Sequence, residues 1–208
     1  MFWLILSVFA WGILHSLLAS IRAKELARRW LGQNLSRFYR LAYNMLAGLS
    51  FLPILGIAAV IPDRRLYGVP LPWSLIMGLG QLLAVVMLLL AFKQTDAWEF
   101  LGLRQLMSAA TGSQLEDPLE AKRGSLVSSG LYKYIRHPLY SAGLAFIWLL
   151  PVMTVNILTI NLGLTVYILI GAYFEERKLR RIFGREYIDY AAVTPMFVPF
   201  LKWNKKPR

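Results

Sequence analysis

The chain has 208 residues, is 57% hydrophobic, carries a formal net charge of +12 and contains no cysteine. So high an apolar fraction, gathered in long blocks, excludes an ordinary soluble domain and points to a membrane protein. The missing cysteines exclude disulfides, thiolate metal sites and a cysteine nucleophile. The positive charge flanks the apolar blocks, as it does beside anionic headgroups, and no nucleic-acid motif accompanies it.

Five apolar segments are predicted to span the bilayer, at 2–21, 41–61, 73–92, 139–153 and 155–174. The first three are close to the roughly 20 residues that a bilayer requires. The fourth is short, and must tilt or begin inside the preceding loop. Only PVMT separates it from the fifth, so the two are expected to form a tight helical hairpin. The first block is long and lacks a basic lead, which favours a span over a signal peptide. The expected fold is therefore all-α: a polytopic integral membrane protein with about five transmembrane helices.

Loop charge sets the expected orientation. Residues 22–40 hold Arg22, Lys24, Arg28, Arg29, Arg37 and Arg40, and nine more basic residues follow Phe174. The loop between the second and third spans has only Arg64 and Arg65, and the hairpin turn has none. The positive-inside rule places the N-terminus outside, and the C-terminus and segment 93–138 on the cytoplasmic side. All the large polar segments then face one side, so chemistry is expected at the membrane–cytosol boundary. The expected organisation is a three-helix membrane region at 1–92 and a catalytic region at 93–208, within one integrated domain. Residues 111–125, TGSQLEDPLEAKRGS, are polar and rich in turn formers, and are predicted to be disordered.

After the last span, Leu179, Ile182, Phe183, Tyr187 and Tyr190 share one helical face, with Arg177, Lys178, Arg180, Arg181 and Arg185 mostly on the other. This pattern predicts a cytoplasmic amphipathic arm on the bilayer surface, bent at Gly184. TPMFVPFLKW cannot continue the helix past Pro195 and Pro199, and reads as a strap turning back onto the membrane.

Some polar residues resist that plain reading. Glu175 and Glu176 close the fifth span, where carboxylates are costly without a partner. They can be helix-end acids beside Arg177, Lys178 or Arg181, or they can face a cavity. Arg136, His137 and Pro138 open the fourth span. Proline suits a first turn, arginine can meet phosphate, and histidine can cap. A hairpin makes these two groups neighbours, with Tyr132, Tyr134 and Tyr140 close by, and such a cluster is how a ligand site is built. His15, Asn44 and Gln81, inside spans, are explained by hydrogen bonds between helices, with lining of the site as the alternative for His15. There is no nucleotide-binding glycine loop and no multi-histidine metal site.

GLYKYIRHPLYSAGL, followed some thirty residues on by EERKLRRIFGREYIDYAAVTPMFVP, resembles the C-terminal half of the isoprenylcysteine carboxyl methyltransferase and phospholipid methyltransferase superfamily. The shared pattern is Arg136, His137, Pro138, Tyr140; Glu175, Glu176; Phe183, Gly184; Tyr187, Tyr190; and Pro195, Pro199. FLGLRQL at 100–106 and the stretch 151–179 are similar to the bacterial methanethiol S-methyltransferase branch. The resemblance implies an integral-membrane enzyme, of the bacterial inner membrane, that uses S-adenosylmethionine. It also implies cofactor binding by Arg136, His137, Pro138, Leu139, Tyr140, Tyr132, Glu175 and Glu176. Catalysis is expected from Glu175, Tyr187 and Arg181, with Arg180 as the alternative arginine, because Ile182 stands where the resemblance implies a base before Phe-Gly.

These residue types suit that chemistry. Carboxylates accept hydrogen bonds from ribose or ammonium groups, arginine pairs with the cofactor carboxylate, and tyrosines suit the adenine face. A nearby arginine holds a thiolate nucleophile, whose methylation requires mainly positioning. The expected acceptor is a small or lipophilic thiol, or an isoprenylcysteine carboxylate. Phospholipid N-methylation, an NADPH-dependent reductase like the steroid reductases, and a non-enzymatic scaffold are the alternatives. Membrane lipids are expected partners and nucleic acid is not. Loss of Glu176 or His137 is expected to spare the fold and abolish cofactor binding.

Overall fold

A computed structural model describes residues 1–36, 38–95 and 126–199, together with positions 98, 101, 103 and 107. Arg37, the 111–125 segment, most of FLGLRQL and the basic residues after 199 lie outside the described residues. The elements run α1 (Phe2–Ala19), α2 (Ile21–Ser36), α3 (Tyr39–Val60), β1 (Arg65–Gly68), α4 (Trp73–Gln94), a 3-10 turn (Gly130–Lys133), α5 (Pro138–Trp148), β2 (Val152–Thr154), α6 (Val155–Phe183) and α7 (Arg185–Val193). Four of them, α1, α3, α4 and α6, are long and apolar enough to cross a membrane. The chain is an integral membrane protein of mainly helical structure.

Three boundaries differ from the sequence expectation. The fourth span shrinks to the 11-residue α5, about 16 Å long, against roughly 30 Å of hydrocarbon. Pro151 ends it, because the residue before a proline is pushed out of the helical region. The hairpin turn and the end of the expected span become a strand. Val152–Thr154 pairs antiparallel with Arg65–Gly68, matching Tyr67 to Met153 and Gly68 to Val152. The Val69 N–H donates to the Pro151 carbonyl at 2.8 Å, and the Tyr67 hydroxyl to Leu150 at 3.1 Å. An all-α description therefore misses a small ribbon.

The third difference is α6, which does not stop at Phe174 but runs 29 residues to Phe183. At about 43 Å it outreaches the hydrocarbon core by roughly 13 Å. EERKLRRIF consists largely of good helix formers, so nothing interrupts it. Glu175 and Glu176 thus sit within a helix rather than at its end. The expected arm divides at Gly184, where φ is 53° and ψ is −123°, a conformation open to glycine and strained for residues with a Cβ. The 22–40 loop is likewise largely helical, as α2, broken at Gly32.

The chain forms two compact units, the first comprising residues 1–64 and 156–164 among those described. Its core is Leu4 and Val8 from α1, Ile54 from α3 and Ile160 from α6, with Trp11, Phe51 and Leu164 packed against them. The buried Asn156 fixes the start of α6. Its amide donates to the Ala58 carbonyl at 3.0 Å and its backbone N–H to Asp63 Oδ1 at 3.1 Å. His15 is taken up by its neighbours, stacked on Trp11 with ring centres 5.0 Å apart and 2.7 Å from the Tyr43 hydroxyl. Gly163 allows α1 to approach closely, since a Cβ there would lie 2.3 Å from Val8 Cγ1. Small residues serve this purpose at membrane helix contacts. Gly163→Ala should therefore lower stability by about 1–3 kcal/mol. Thermal unfolding of the single variant against Gly163→Ala/Val8→Ala checks this, because the second change should restore most of the loss.

The second unit comprises residues 65–95, 126–155 and 165–199 among those described. In it, α4 and α5 are joined by a hydrogen bond from Gln81 to the Phe146 carbonyl at 3.1 Å, the bond between helices expected of Gln81. Gln94, the last residue of α4, accepts from the Leu131 N–H at 3.1 Å. This anchors the 3-10 turn that leads into α5.

Candidate active site

The site lies within the second unit, where the start of α5, the C-terminal third of α6, α7 and residues 194–197 meet. Pro138 occupies the first turn of α5, which needs no N–H donor there, and His137 is its N-cap residue. The chain just before it runs alongside the strap. Arg136 N–H donates to Pro195 at 2.9 Å and His137 N–H to Met196 at 3.1 Å. The Ser141 hydroxyl donates to Phe197 at 2.7 Å. The strap therefore turns back onto the mouth of α5, fastened by its backbone.

Glu176 is the centre of the cluster and is only 6% exposed. Its Oε1 accepts from Arg136 Nε at 2.7 Å and from the Tyr187 hydroxyl at 2.7 Å. His137 Nε2 lies 3.0 Å from the same oxygen, and the tautomer protonated there adds a third donor. Arg136 Nη1 also donates to the carbonyls of Ala191 and Thr194. Three elements are joined through one carboxylate oxygen, and charge-assisted bonds of this kind are the strong ones.

Glu175 is different. Its side chain is 44% exposed and its Oε2 is 3.6 Å from His137 Nδ1, too far for a hydrogen bond. One acid of the pair is enclosed by donors, and the other keeps acceptor capacity toward solvent. Around them lie aromatic rings. Tyr140 stacks on His137 with centroids 5.4 Å apart, and Phe197 leans on it at 5.8 Å. The Tyr190 hydroxyl donates to the Tyr132 carbonyl at 2.6 Å.

The sequence-selected residues thus fall into groups. Arg136, His137, Glu176 and Tyr187 converge through direct bonds, with Pro138 buried beside them. Glu175, Leu139, Tyr140 and Tyr132 are half-buried around them, while Tyr134 and Arg181 are exposed. Arg180 is 59% exposed, and its Nη2 is 3.7 Å from Glu176 Oε2. Sequence reasoning missed Ser141, Thr194 and Phe197. Pro195 marked the strap, but nothing in the sequence indicated which carbonyls it would offer to Arg136.

Burial pushes the Tyr190 phenol up to about 12. Burial and then the Glu176 hydrogen bond hold Tyr187 well above the ordinary range. A phenol whose folded pKa is raised stabilises the fold fully below its unfolded value of 10.0, and that contribution is lost as pH climbs through the folded value. Stability should therefore fall between pH about 10 and 12, more steeply than in Tyr190→Phe, as followed by unfolding at stepped pH.

A sequence model described as phospholipid methyltransferase matches residues 76–186. A methanethiol S-methyltransferase of a Pseudomonas species is 31% identical over 202 residues, covering 93% of this chain and 74% of that protein. The methanethiol S-methyltransferase of Pseudomonas deceptionensis is 37% identical over 107 residues, 51% of this chain and 38% of that one. In the protein-S-isoprenylcysteine O-methyltransferase B of Arabidopsis thaliana, 79 residues align at 37% identity, covering 36% of this chain and 40% of that protein. The matched part is thus well under half of the Pseudomonas deceptionensis relative. No solved structure matches. These findings agree with the resemblance carried by the Arg-His-Pro and Glu-Glu motifs, including its methanethiol S-methyltransferase branch. With over half of its residues inside the family match and a 31% identical relative aligned along nearly its whole length, the chain belongs to the phospholipid methyltransferase family.

Proposed function

We propose that this chain is an integral-membrane methyltransferase that uses S-adenosylmethionine and methylates a small or lipophilic thiol. The observation that carries the proposal is the division of labour between the two adjacent acids. Glu176 is buried and its Oε1 is taken up by protein donors, whereas Glu175 is the more exposed carboxylate and the one better placed to meet a ligand.

The donor set fits S-adenosylmethionine. The half-exposed Glu175 suits ribose hydroxyls or an ammonium, the exposed Arg180 suits a carboxylate, and Tyr140 and Tyr132 offer faces to adenine. When bound, the cofactor supplies an electrophilic methyl group on a sulfonium. Arg136, His137, Glu176 and Tyr187 are positioning residues that hold the mouth of α5 against α6. Leu139 and Pro138 shape that mouth. Arg181 is the residue assigned to hold an anionic thiolate. A thiol acceptor is supported by the relatives named methanethiol S-methyltransferase. A prenylated cysteine carboxylate is the variant suggested by the plant relative. From loop charge we place the N-terminus outside, the site on the cytoplasmic side, and residues 93–208 as the catalytic region.

The test is ligand stabilisation of the purified protein. S-adenosylhomocysteine at a hundred times its dissociation constant should add about 2.7 kcal/mol, seen as a rise in melting temperature. Glu175→Gln should melt like the parent yet bind S-adenosylhomocysteine roughly 10–100-fold more weakly, the worth of a charged hydrogen bond. Stabilisation by NADPH in its place would favour the reductase alternative and end this reading. A panel of thiols, prenylcysteines and lipids with methyl-labelled cofactor then identifies the acceptor.

A further inference from the structure

The α2 helix has no part in the site described above. Ala23, Leu26, Ala27 and Trp30 lie at i, i+3, i+4 and i+7 on one face of it, with Glu25, Arg28 and Arg29 on the other side. The large side chains of the apolar face stand out from the protein, Leu26 55% and Trp30 82% exposed, while Ala23 and Ala27 are half-buried. Such exposure of a tryptophan in water is unfavourable, whereas at a bilayer interface its ring is well placed. The helix is joined on one side to α1 and on the other, through residues 37–38, to α3, both long enough to be membrane spans, so it is confined to the boundary.

Charge narrows the occupant. Between residues 22 and 32, Arg22, Lys24, Arg28 and Arg29 face one acid, Glu25. At Gly32, where φ is 74°, the chain leaves the helix. A cleft of about 480 Å³ opens there, lined by Glu25, Arg28, Arg29 and Gly32. We infer that α2 is an interfacial helix that docks on an anionic phospholipid surface, with Leu26 and Trp30 in the acyl boundary and its arginines among the headgroup phosphates. Apolar burial and charge then act together, as in surface-bound amphipathic helices. The proposal is independent of the reaction.

The absence of native cysteine makes the test direct. Leu26→Cys, Arg29→Cys and Trp30→Cys, each spin-labelled in the full chain, are reconstituted into phosphatidylcholine vesicles with and without phosphatidylglycerol. Labels at 26 and 30 should favour collision with oxygen, and the label at 29 collision with a water-soluble nickel chelate. Phosphatidylglycerol should deepen the label at 30, and high salt should reverse that shift. With unlabelled protein, Arg22→Gln/Arg29→Gln should lose preference for phosphatidylglycerol by about fivefold per arginine, without altering binding of S-adenosylhomocysteine. Equal aqueous exposure of all three labels would overturn the interfacial placement. A deep label at 30 that ignores phosphatidylglycerol and salt would overturn the anionic partner.

Discussion

Glu176→Ala is expected to cost about 3–5 kcal/mol, the range for removing one partner from a buried ion pair. The loss is large because one oxygen serves several groups. Arg136, with a side chain 12% exposed, is left as an uncompensated charge. Tyr187, 1% exposed, is left with an unpaired hydroxyl, and His137 loses its contact on Nε2. A fall in melting temperature of roughly 10 °C follows for a chain of this length. Tyr187→Phe alone should cost less, about 1.5–3 kcal/mol. Because both changes break the same bond, the double variant should fall short of the sum of the singles. A parent-like melting temperature for Glu176→Ala would show that the buried cluster does not hold the fold. The resemblance read from the sequence predicts that result, since it places Glu176 among the cofactor-binding residues.

The second large effect is expected at Gly184. Its φ of 53° with ψ of −123° lets α6 stop and α7 leave in a new direction. A residue with a Cβ is strained there by about 1–3 kcal/mol, and a β-branched one is the worst case. The strain has a second consequence. Tyr187 follows Gly184 by only three residues, and its hydroxyl must reach Glu176, 11 positions back. If Gly184→Val lets the helix run on, Tyr187 and the carbonyls of Ala191 and Thr194 all leave Arg136. Gly184→Val should therefore melt below Tyr187→Phe and lose binding of S-adenosylhomocysteine, whereas Gly184→Ala, which lacks the β-branch, should retain more of both. Parent-like binding by Gly184→Val would refute this account.

Much of the site was legible because its residues carry their own signals. Arg136, His137 and Pro138 open an apolar block and Glu175–Glu176 follow another, so a short connection between the blocks had to bring them together. What was not legible depends on tertiary pairing. Glu175 and Glu176 are the same residue type one position apart. A helix rotates about 100° per residue, which aims one at the donors and the other toward solvent, and only the neighbouring elements decide which. Tyr187 lies among apolar positions of one helical face, and that pattern does not show that its hydroxyl donates to Glu176. The strand at Val152–Thr154 was hidden inside a hydrophobic run whose partner, Arg65–Gly68, looked like an ordinary loop. The continuation of α6 through EERKLRRIF is hidden in the sequence because charge ends the hydrophobic part of a span and not the helix itself.

That ribbon has a consequence for how the protein is made. Tyr67 and the Leu150 carbonyl it binds are 83 residues apart. At 5–20 residues per second, the ribosome delivers the second side of this clasp roughly 4–17 s after the first. Over that interval α4 is synthesised while the strand partner of Arg65–Gly68 is still missing, which leaves an edge open to a neighbouring nascent chain. Biogenesis, rather than the finished fold, is where a bulky or charged replacement at Val152 or Met153 should first be felt, as lower yield from cells before any change in melting temperature of the protein recovered.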